Sequence, residues 1–208
     1  MEAEAEGLPV VRPLEPGDRA RWEELFQGFA EYYGTSVPSG VAENVWAQLM
    51  AGGDAAAMGR IYGLGAFVGG GERPQHLVGF AHYHFQPCTW SLQPKCYLED
   101  VCVDGKGACC GVQETDSDAR SYVDPNVRSR GCGRRLFEAV FAKADEKGTA
   151  DTWWITSLEN DRARRLYDRV GKVTDHVGSP PSPPPSAGLT TVPAQVKYSR
   201  ESFGHEGA

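Results

Sequence analysis

The loop at residues 128–135, RSRGCGRR, is the feature that most limits what this chain can fold into. Its two glycines and four arginines stand directly before a segment with helical spacing of apolar residues. Glycines let several backbone N–H groups converge on one point, and the N-terminus of a helix adds about half a positive charge there. The pattern therefore predicts a cradle for a pyrophosphate group. The apolar stripe of the predicted helix consists of Leu136, Phe137, Val140, Phe141 and Ala144.

Two widespread phosphate-binding loops do not match this pattern. A Walker loop requires Lys and then Ser or Thr after its last glycine, whereas Arg134 follows Gly133 here. A dinucleotide-binding loop requires a third glycine at the position that Leu136 occupies. An ordinary loop before a helix would explain the glycines, but it would not explain four arginines.

Apolar periodicity elsewhere in the chain predicts a mixed α/β (α+β) fold, a sheet with helices on both faces. One domain is expected over residues 9–200, between an acidic flexible N-terminus at 1–8 and a flexible tail at 201–208. Asp18 is the expected cap of the first helix, and the second helix is expected to begin at Ser39. The predicted strands are 9–13, 60–68, 76–85, 97–103, 152–156 and 195–200, and the last predicted helix is 160–170.

The strand YLEDVCV, residues 97–103, carries two adjacent carboxylates. Strict alternation would place Glu99 and Asp100 on opposite faces of the sheet, so that only one of them could face a cleft. The residues expected to share the face of Glu99 are Tyr97, Val101 and Val103.

Composition excludes several classes of function. The net charge of −7 disfavours nucleic-acid binding and suits amines as partners. No run approaches the ~18 apolar residues of a membrane span, and the first residues lack the features of a signal peptide. We therefore expect no membrane association and a cytoplasmic location, with the nucleus as the alternative. The six cysteines contain no C-x2-C pair, so no metal site is expected.

Two segments interrupt the periodic pattern. Residues 105–124 form an irregular insertion, and residues 179–194 form a loop rich in proline. One explanation is natural loop extension, which costs little free energy. The other is that one or both segments are translated intron sequence. Sequencing the transcript distinguishes these explanations.

The motif Arg128-x-x-Gly131-x-Gly133 resembles the acetyl-CoA pyrophosphate signature of the GNAT superfamily of N-acetyltransferases. The resemblance extends to YLEDVCVD before the loop and to WWITSLENDRARRLYDRVGK after it, and covers roughly residues 9–178. It is strongest to the branch of yeast histone-type and D-amino-acid acetyltransferases. It implies a mostly antiparallel sheet in which the fourth and fifth strands splay apart. It also implies direct transfer of acetyl from acetyl-CoA to a primary amine in a ternary complex.

The resemblance also implies roles for individual residues. Glu99 is the expected general base, and Tyr167 is the expected general acid for the leaving thiolate. A backbone N–H near Cys102 or Val103 is expected to polarise the thioester carbonyl. The alternatives are a structural carboxylate at Glu99 and a core tyrosine at position 167. The expected cofactor-binding residues are Val101, Cys102, Val103, Arg128, Ser129, Arg130, Gly131, Cys132, Gly133, Arg134, Asn160 and Arg164.

The acceptor amine is expected between the first two helices and the third and fourth strands. Aromatic faces there would suit a cationic amine. His82 and His84 are also alternative bases, and a metal at this pair is not expected because no third ligand has suitable spacing. The acceptor is a small amine, an amino acid, a polyamine or a protein lysine, and dimers are common in the family. The alternative function is a catalytically impaired CoA-binding or scaffold domain. The candidate acceptor residues are Tyr32, Tyr33, His82, His84 and Trp90.

Overall fold

A computed structural model describes residues 9–51, 60–70, 73–103, 131–174 and 195–201. The expectations for 1–8, 105–124, 179–194 and 202–208 lie outside these residues. The strands are β1 (Val10–Pro13), β2 (Ile61–Gly70), β3 (Arg73–Gln86), β4 (Lys95–Val103), β5 (Asp151–Ser157), β6 (Lys172–Val173) and β7 (Gln195–Glu201). The helices are α1 (Arg19–Tyr32), α2 (Val41–Met50), α3 (Cys132–Lys147) and α4 (Asp161–Val170).

The strands form one sheet in the order β1-β2-β3-β4-β5-β7-β6. All neighbouring strands run antiparallel except β4 and β5, which are parallel. The prediction of a mixed, mostly antiparallel sheet with helices on both faces is confirmed. The short strand β6 was not predicted, because two residues are too few to show a periodic pattern.

Strands β4 and β5 separate soon after they begin. Their register consists of two pairs, Cys96 with Thr152 and Tyr97 with Trp153. Beyond these pairs, β4 continues to Val103 and β5 continues to Ser157 without pairing to each other. A wedge-shaped gap therefore opens in the middle of the sheet, as the predicted splay requires.

The two faces of the sheet have separate cores. On one face, α3 and α4 cover a cluster that includes Phe137, Trp154 and Tyr198. On the other face, α1 and α2 cover a second cluster that includes Trp22 and Phe80. Within the described ranges, no helix has the length and apolar character needed to cross a bilayer.

The first two helices begin differently from the prediction. Asp18 does stand at the N-cap of α1, but its carboxylate binds the Arg12 guanidinium at 2.8 Å and the Glu15 backbone N–H instead of the helix. Helix α2 begins at Val41 and not at Ser39, because Gly40 adopts a left-handed conformation with φ of 81°. That conformation favours glycine and stops a helix from extending backwards.

Candidate active site

A β-bulge in β4 determines where the carboxylates point. His82 pairs with Asp100 and Tyr83 pairs with Leu98, so Glu99 is an extra residue without a partner on β3. Such a bulge changes the face on which the following side chains lie. The prediction that Glu99 and Asp100 occupy opposite faces was therefore wrong.

The contacts of the two carboxylates confirm that they share one face. Glu99 Oε2 lies 3.5 Å from His84 Nε2, and Asp100 Oδ2 lies 2.9 Å from His82 Nδ1. The two histidines are two residues apart on β3, and their side chains therefore lie on the same face of the sheet. The side chains of Val101 and Val103 were expected beside Glu99, but they pack in the opposite core, towards α3.

Glu99 is half exposed and has a raised pKa, and its role as the general base stays a prediction. Its side chain is 51% exposed, so a water or a substrate can reach it. Partial burial and the neighbouring charge of Asp100 raise the pKa of the Glu99 carboxyl above its ordinary value, against the opposing effects of His84 and His82. A carboxylate with a raised pKa is a stronger base near neutral pH.

His82 is held from both sides inside the core. The Trp22 indole Nε1–H donates to His82 Nε2 at 3.0 Å, and the ring is 2% exposed. Indole is a donor only, so Nε2 is the acceptor and Nδ1 carries the proton that bonds to Asp100. Because its ring is buried and both nitrogens have protein partners, His82 does not line an open acceptor surface, contrary to the expectation, and its role as an alternative base stays a prediction.

Two residues of this arrangement were missed as functional candidates. Trp22 stands on the apolar stripe of α1, and that position indicates packing alone. Asp100 was assigned to the wrong face because the bulge breaks the alternation. Neither pattern carries a signal that links these residues along the chain.

His84 remains close to the candidate base. Its ring is partly exposed and stands edge-on to Tyr97, with ring centroids 5.3 Å apart. Tyr97 in turn lies 4.3 Å from the ring of Trp153 on β5. A half-buried aromatic surface therefore borders Glu99 where β4 and β5 begin to separate.

The N-terminus of α3 lies beside the end of β4. Gly131 is its N-cap with φ of 78°, a conformation that other residues rarely adopt. A Cβ on Gly133 would lie 3.3 Å from Leu166 and 3.8 Å from Val103. Gly133 of the predicted cradle thus lies at the open end of the gap. Cys132 is buried in the first turn of α3, and Arg128, Ser129 and Arg130 lie outside the described residues.

The end of β4 offers its backbone to a ligand more readily than its side chains. Val101 and Cys102 are buried, and the Cys102 thiol contacts the Leu25 carbonyl of α1 at 3.9 Å. A Cβ on Gly79 would lie 2.6 Å from the Cys102 carbonyl oxygen, so β3 and β4 approach each other closely there. Any contact of Val101 and Cys102 with the cofactor would therefore have to come from their backbone, and the expected cofactor contacts of Val101, Cys102 and Val103 stay predictions.

Three predicted polar ligands already have protein partners. Arg134 is exposed and donates to Glu138 at 2.7 Å. Asn160 caps α4 by accepting from the Ala163 N–H. Arg164 donates to the Leu158 carbonyl at 3.0 Å. All three residues lie at the beginnings of α3 and α4, and their contacts with a cofactor stay predictions.

Tyr167 lies in the aromatic core under α4. Its ring is 6% exposed and its centroid lies 5.3 Å from that of Phe137 and 5.4 Å from that of Tyr198. The preceding residue, Leu166, is the one that approaches Gly133. The residue directly before Tyr167 therefore borders the open end of the gap. The role of Tyr167 as the acid stays a prediction.

The remaining acceptor candidates lie in two places. Tyr32 and Tyr33 form an edge-to-face pair where α1 ends, with ring centroids 4.9 Å apart. Trp90 is 96% exposed in the loop before β4, at the end of that strand opposite to Val103. The fold therefore does not bring Trp90 to the open end of the gap.

The acetyltransferase (GNAT) family model matches residues 22–171. The chain belongs to this family. It is therefore an acetyltransferase that uses acetyl-CoA, as the signature at residues 128–133 implied. A relative in Saccharomyces cerevisiae, the D-amino-acid N-acetyltransferase HPA3, is 29% identical over 168 residues. The aligned part covers 81% of this chain and 87% of the relative.

Solved structures show the same fold at low sequence identity. Arabidopsis thaliana NAA60, in complex with a bisubstrate analogue, matches with a TM-score of 0.59 and 16% identity, covering 93% of this chain and 98% of that chain. Salmonella typhimurium yncA, solved with acetyl-CoA, matches with a TM-score of 0.60 and 13% identity, covering 97% and 98%. In the described part of this GNAT chain, no group of three or more His, Cys, Asp or Glu side chains could hold a metal.

Proposed function

We propose that this GNAT enzyme acetylates a primary amine that enters beside Glu99, on the face covered by α1 and α2. The observation that carries the proposal is a half-exposed glutamate with a raised pKa, presented by a bulge beside the gap between β4 and β5. Glu99 accepts a proton from the acceptor ammonium, directly or through a water, and the nitrogen gains the lone pair that attack requires.

The opposite side of the gap supplies the residues that hold the acetyl donor. The N-terminus of α3, at Cys132 and Gly133, suits a diphosphate because the helix dipole places positive charge there. The backbone near Cys102 and Val103 stabilises negative charge on the carbonyl oxygen as the amine attacks. Tyr167 donates a proton to the sulfur when the carbon–sulfur bond breaks.

Free amino acids are the first acceptors to test, because the yeast relative acts on D-amino acids. Small amines, polyamines and protein lysines follow. A scaffold without catalysis is not favoured, because it would not require a base beside the gap. The cytoplasmic location, the lack of nucleic-acid partners and the formation of a homodimer stay predictions.

The decisive experiment replaces Glu99 by Gln and measures the release of CoA thiol with a panel of amines. We expect kcat to fall about 100-fold or more, since general bases contribute 10²–10⁴-fold. CoA affinity, measured by calorimetry, should stay within about twofold of the parent value, because Glu99 lies on the acceptor side. Glu146→Gln is the matched control, since Glu146 is an exposed glutamate on α3 with a lysine partner.

An unchanged kcat in Glu99→Gln would reject Glu99 as the base. Loss of CoA binding in the same variant would show that the substitution disturbs the whole gap and would reject the division into a donor side and an acceptor side.

A further inference from the structure

We propose that Trp22, His82 and Asp100 form a positioning relay that holds the bulge and sets the environment of Glu99. The inference rests on the proposed function, because it assigns these residues to the reaction through Glu99. Trp22 and His82 are buried and do not touch the substrate. They act by fixing the carboxylate of Asp100 beside the proposed base.

The relay links the core to the surface by two consecutive hydrogen bonds. Trp22 donates to His82 at 3.0 Å, and His82 donates to Asp100 at 2.9 Å. Trp22 is fully buried, His82 is nearly so, and the Asp100 side chain is 20% exposed. The indole therefore fixes the tautomer of the imidazole, and the imidazole fixes the position of the carboxylate.

The surroundings of His82 show that packing alone would not require a histidine there. The rings of Phe80, Phe26 and Trp22 lie within 4.5–5.9 Å of the imidazole. An apolar side chain would fill this aromatic space without the cost of burying a polar ring. The imidazole instead satisfies both of its nitrogens, and its second bond ends at the residue that follows the bulge.

The bond to Asp100 has two consequences for Glu99. It pins the cross-strand pair next to the unpaired residue, which keeps the bulge in register. It also holds the carboxylate of Asp100 beside Glu99, and the charge of this neighbour raises the pKa of Glu99. The titratable groups that face Glu99 are Asp100 and Tyr97 on β4 and His82 and His84 on β3.

The first test is a ¹³C-NMR titration of the Glu99 carboxyl group in the free enzyme, which needs no substrate. In Asp100→Asn the side-chain oxygen still accepts from His82, but the negative charge is gone. We expect the titration midpoint of Glu99 to move to lower pH. Asp161→Asn, an exposed change on α4, should leave the midpoint unchanged. An unchanged midpoint in Asp100→Asn would overturn the proposal.

The second test compares two substitutions of His82. Asn places an amide N–H near the position of Nδ1 and can still donate to Asp100, whereas Leu cannot. We expect His82→Leu to lower kcat/KM about tenfold and His82→Asn to restore most of that loss. Equal losses in the two variants, with equal thermal stability, would reject a role through Asp100.

The third test separates this proposal from the assignment of Glu99. If Asp100 acts through Glu99, Asp100→Asn lowers kcat/KM about tenfold in the parent enzyme. Added to the Glu99→Gln variant, the same substitution should change kcat/KM by less than about twofold. If the double variant instead loses the product of the two single losses in kcat/KM, the relay would be overturned, while Glu99 would stay the base. A Glu99→Gln enzyme of normal rate would overturn the proposed function itself. Asp100 is partly exposed, so its variant keeps the test available if the His82 variants do not fold.

Discussion

The two faces of the sheet use buried aromatic residues in opposite ways. Under α4, the Tyr198 hydroxyl donates to Asp168 at 2.9 Å, and Asp168 is exposed to solvent. Under α1, the polar atom of Trp22 points inward and starts a chain that reaches Asp100. The hydroxyl of Tyr198 in the first core thus connects directly to the surface, whereas the indole N–H of Trp22 in the second core connects through His82 to Asp100, the neighbour of the proposed base. If Glu99 is the base, one core serves packing alone and the other also positions the neighbour of the base.

Truncation in the packing core should produce the largest loss of stability. Phe137 is fully buried between α3 and β5 and contacts Phe141, Trp154 and Tyr167. We expect Phe137→Ala to lower the free energy of unfolding by about 3–5 kcal/mol, measured by denaturant titration. Ile155→Ala, at an exposed position on β5, should cost less than about 1 kcal/mol. A small loss for Phe137→Ala would contradict the tight packing of this core.

Two glycines provide a matched pair, one beside Trp154 and one beside the end of β4. A Cβ on Gly171 would lie 2.5 Å from the Trp154 ring, and a Cβ on Gly79 would lie 2.6 Å from the Cys102 carbonyl oxygen. Each change to Ala should cost about 1–3 kcal/mol, because the neighbour must move. Only Gly79→Ala should also weaken CoA binding in calorimetry, since it displaces the end of β4. Equal effects of the two variants on CoA affinity would remove this distinction.

Removing one polar atom from each core tests the comparison directly. Trp22→Phe leaves His82 Nε2 buried without its donor, which costs about 1–3 kcal/mol. Tyr198→Phe removes the donor to Asp168, but this carboxylate is open to water and can bond to it instead. The substitution should therefore cost about 1 kcal/mol or less. Thermal unfolding of both variants beside the parent enzyme checks the order. The reverse order would mean that the relay contributes little to the second core.

The smallest expected effect is a gain in stability, for Glu99→Gln. The raised pKa of Glu99 means that the folded protein holds this proton more tightly than the unfolded chain does. Ionised Glu99 therefore destabilises the fold fully above its folded pKa, and the penalty disappears below its unfolded pKa, about 4.3. Glu99→Gln should be slightly more stable than the parent at neutral pH and equally stable below about pH 4. Denaturant titrations at the two pH values check this, and a destabilised variant at neutral pH would contradict it.

The predictions from sequence succeeded where the signal was local. The stripe from Leu136 to Ala144 predicted α3, and the turn at Gly148 ends that helix in a left-handed conformation. The alternation in the segment at 97–103 predicted a strand, but it could not predict the faces. One extra residue at Glu99 shifts every later side chain, and the unpaired residue is defined only against β3.

The order of elements, the helix faces and the glycine loop before α3 were determined by the sequence itself. Each of these features depends on residues within a few positions of one another. Their spacing matches the repeat of a helix or a strand and so sets which side chains share a face. The bulge, the tautomer of His82 and the shared face of Glu99 and Asp100 were decided by the tertiary structure. They depend on Trp22 meeting β3 across 60 residues of chain, and no local pattern contains that contact.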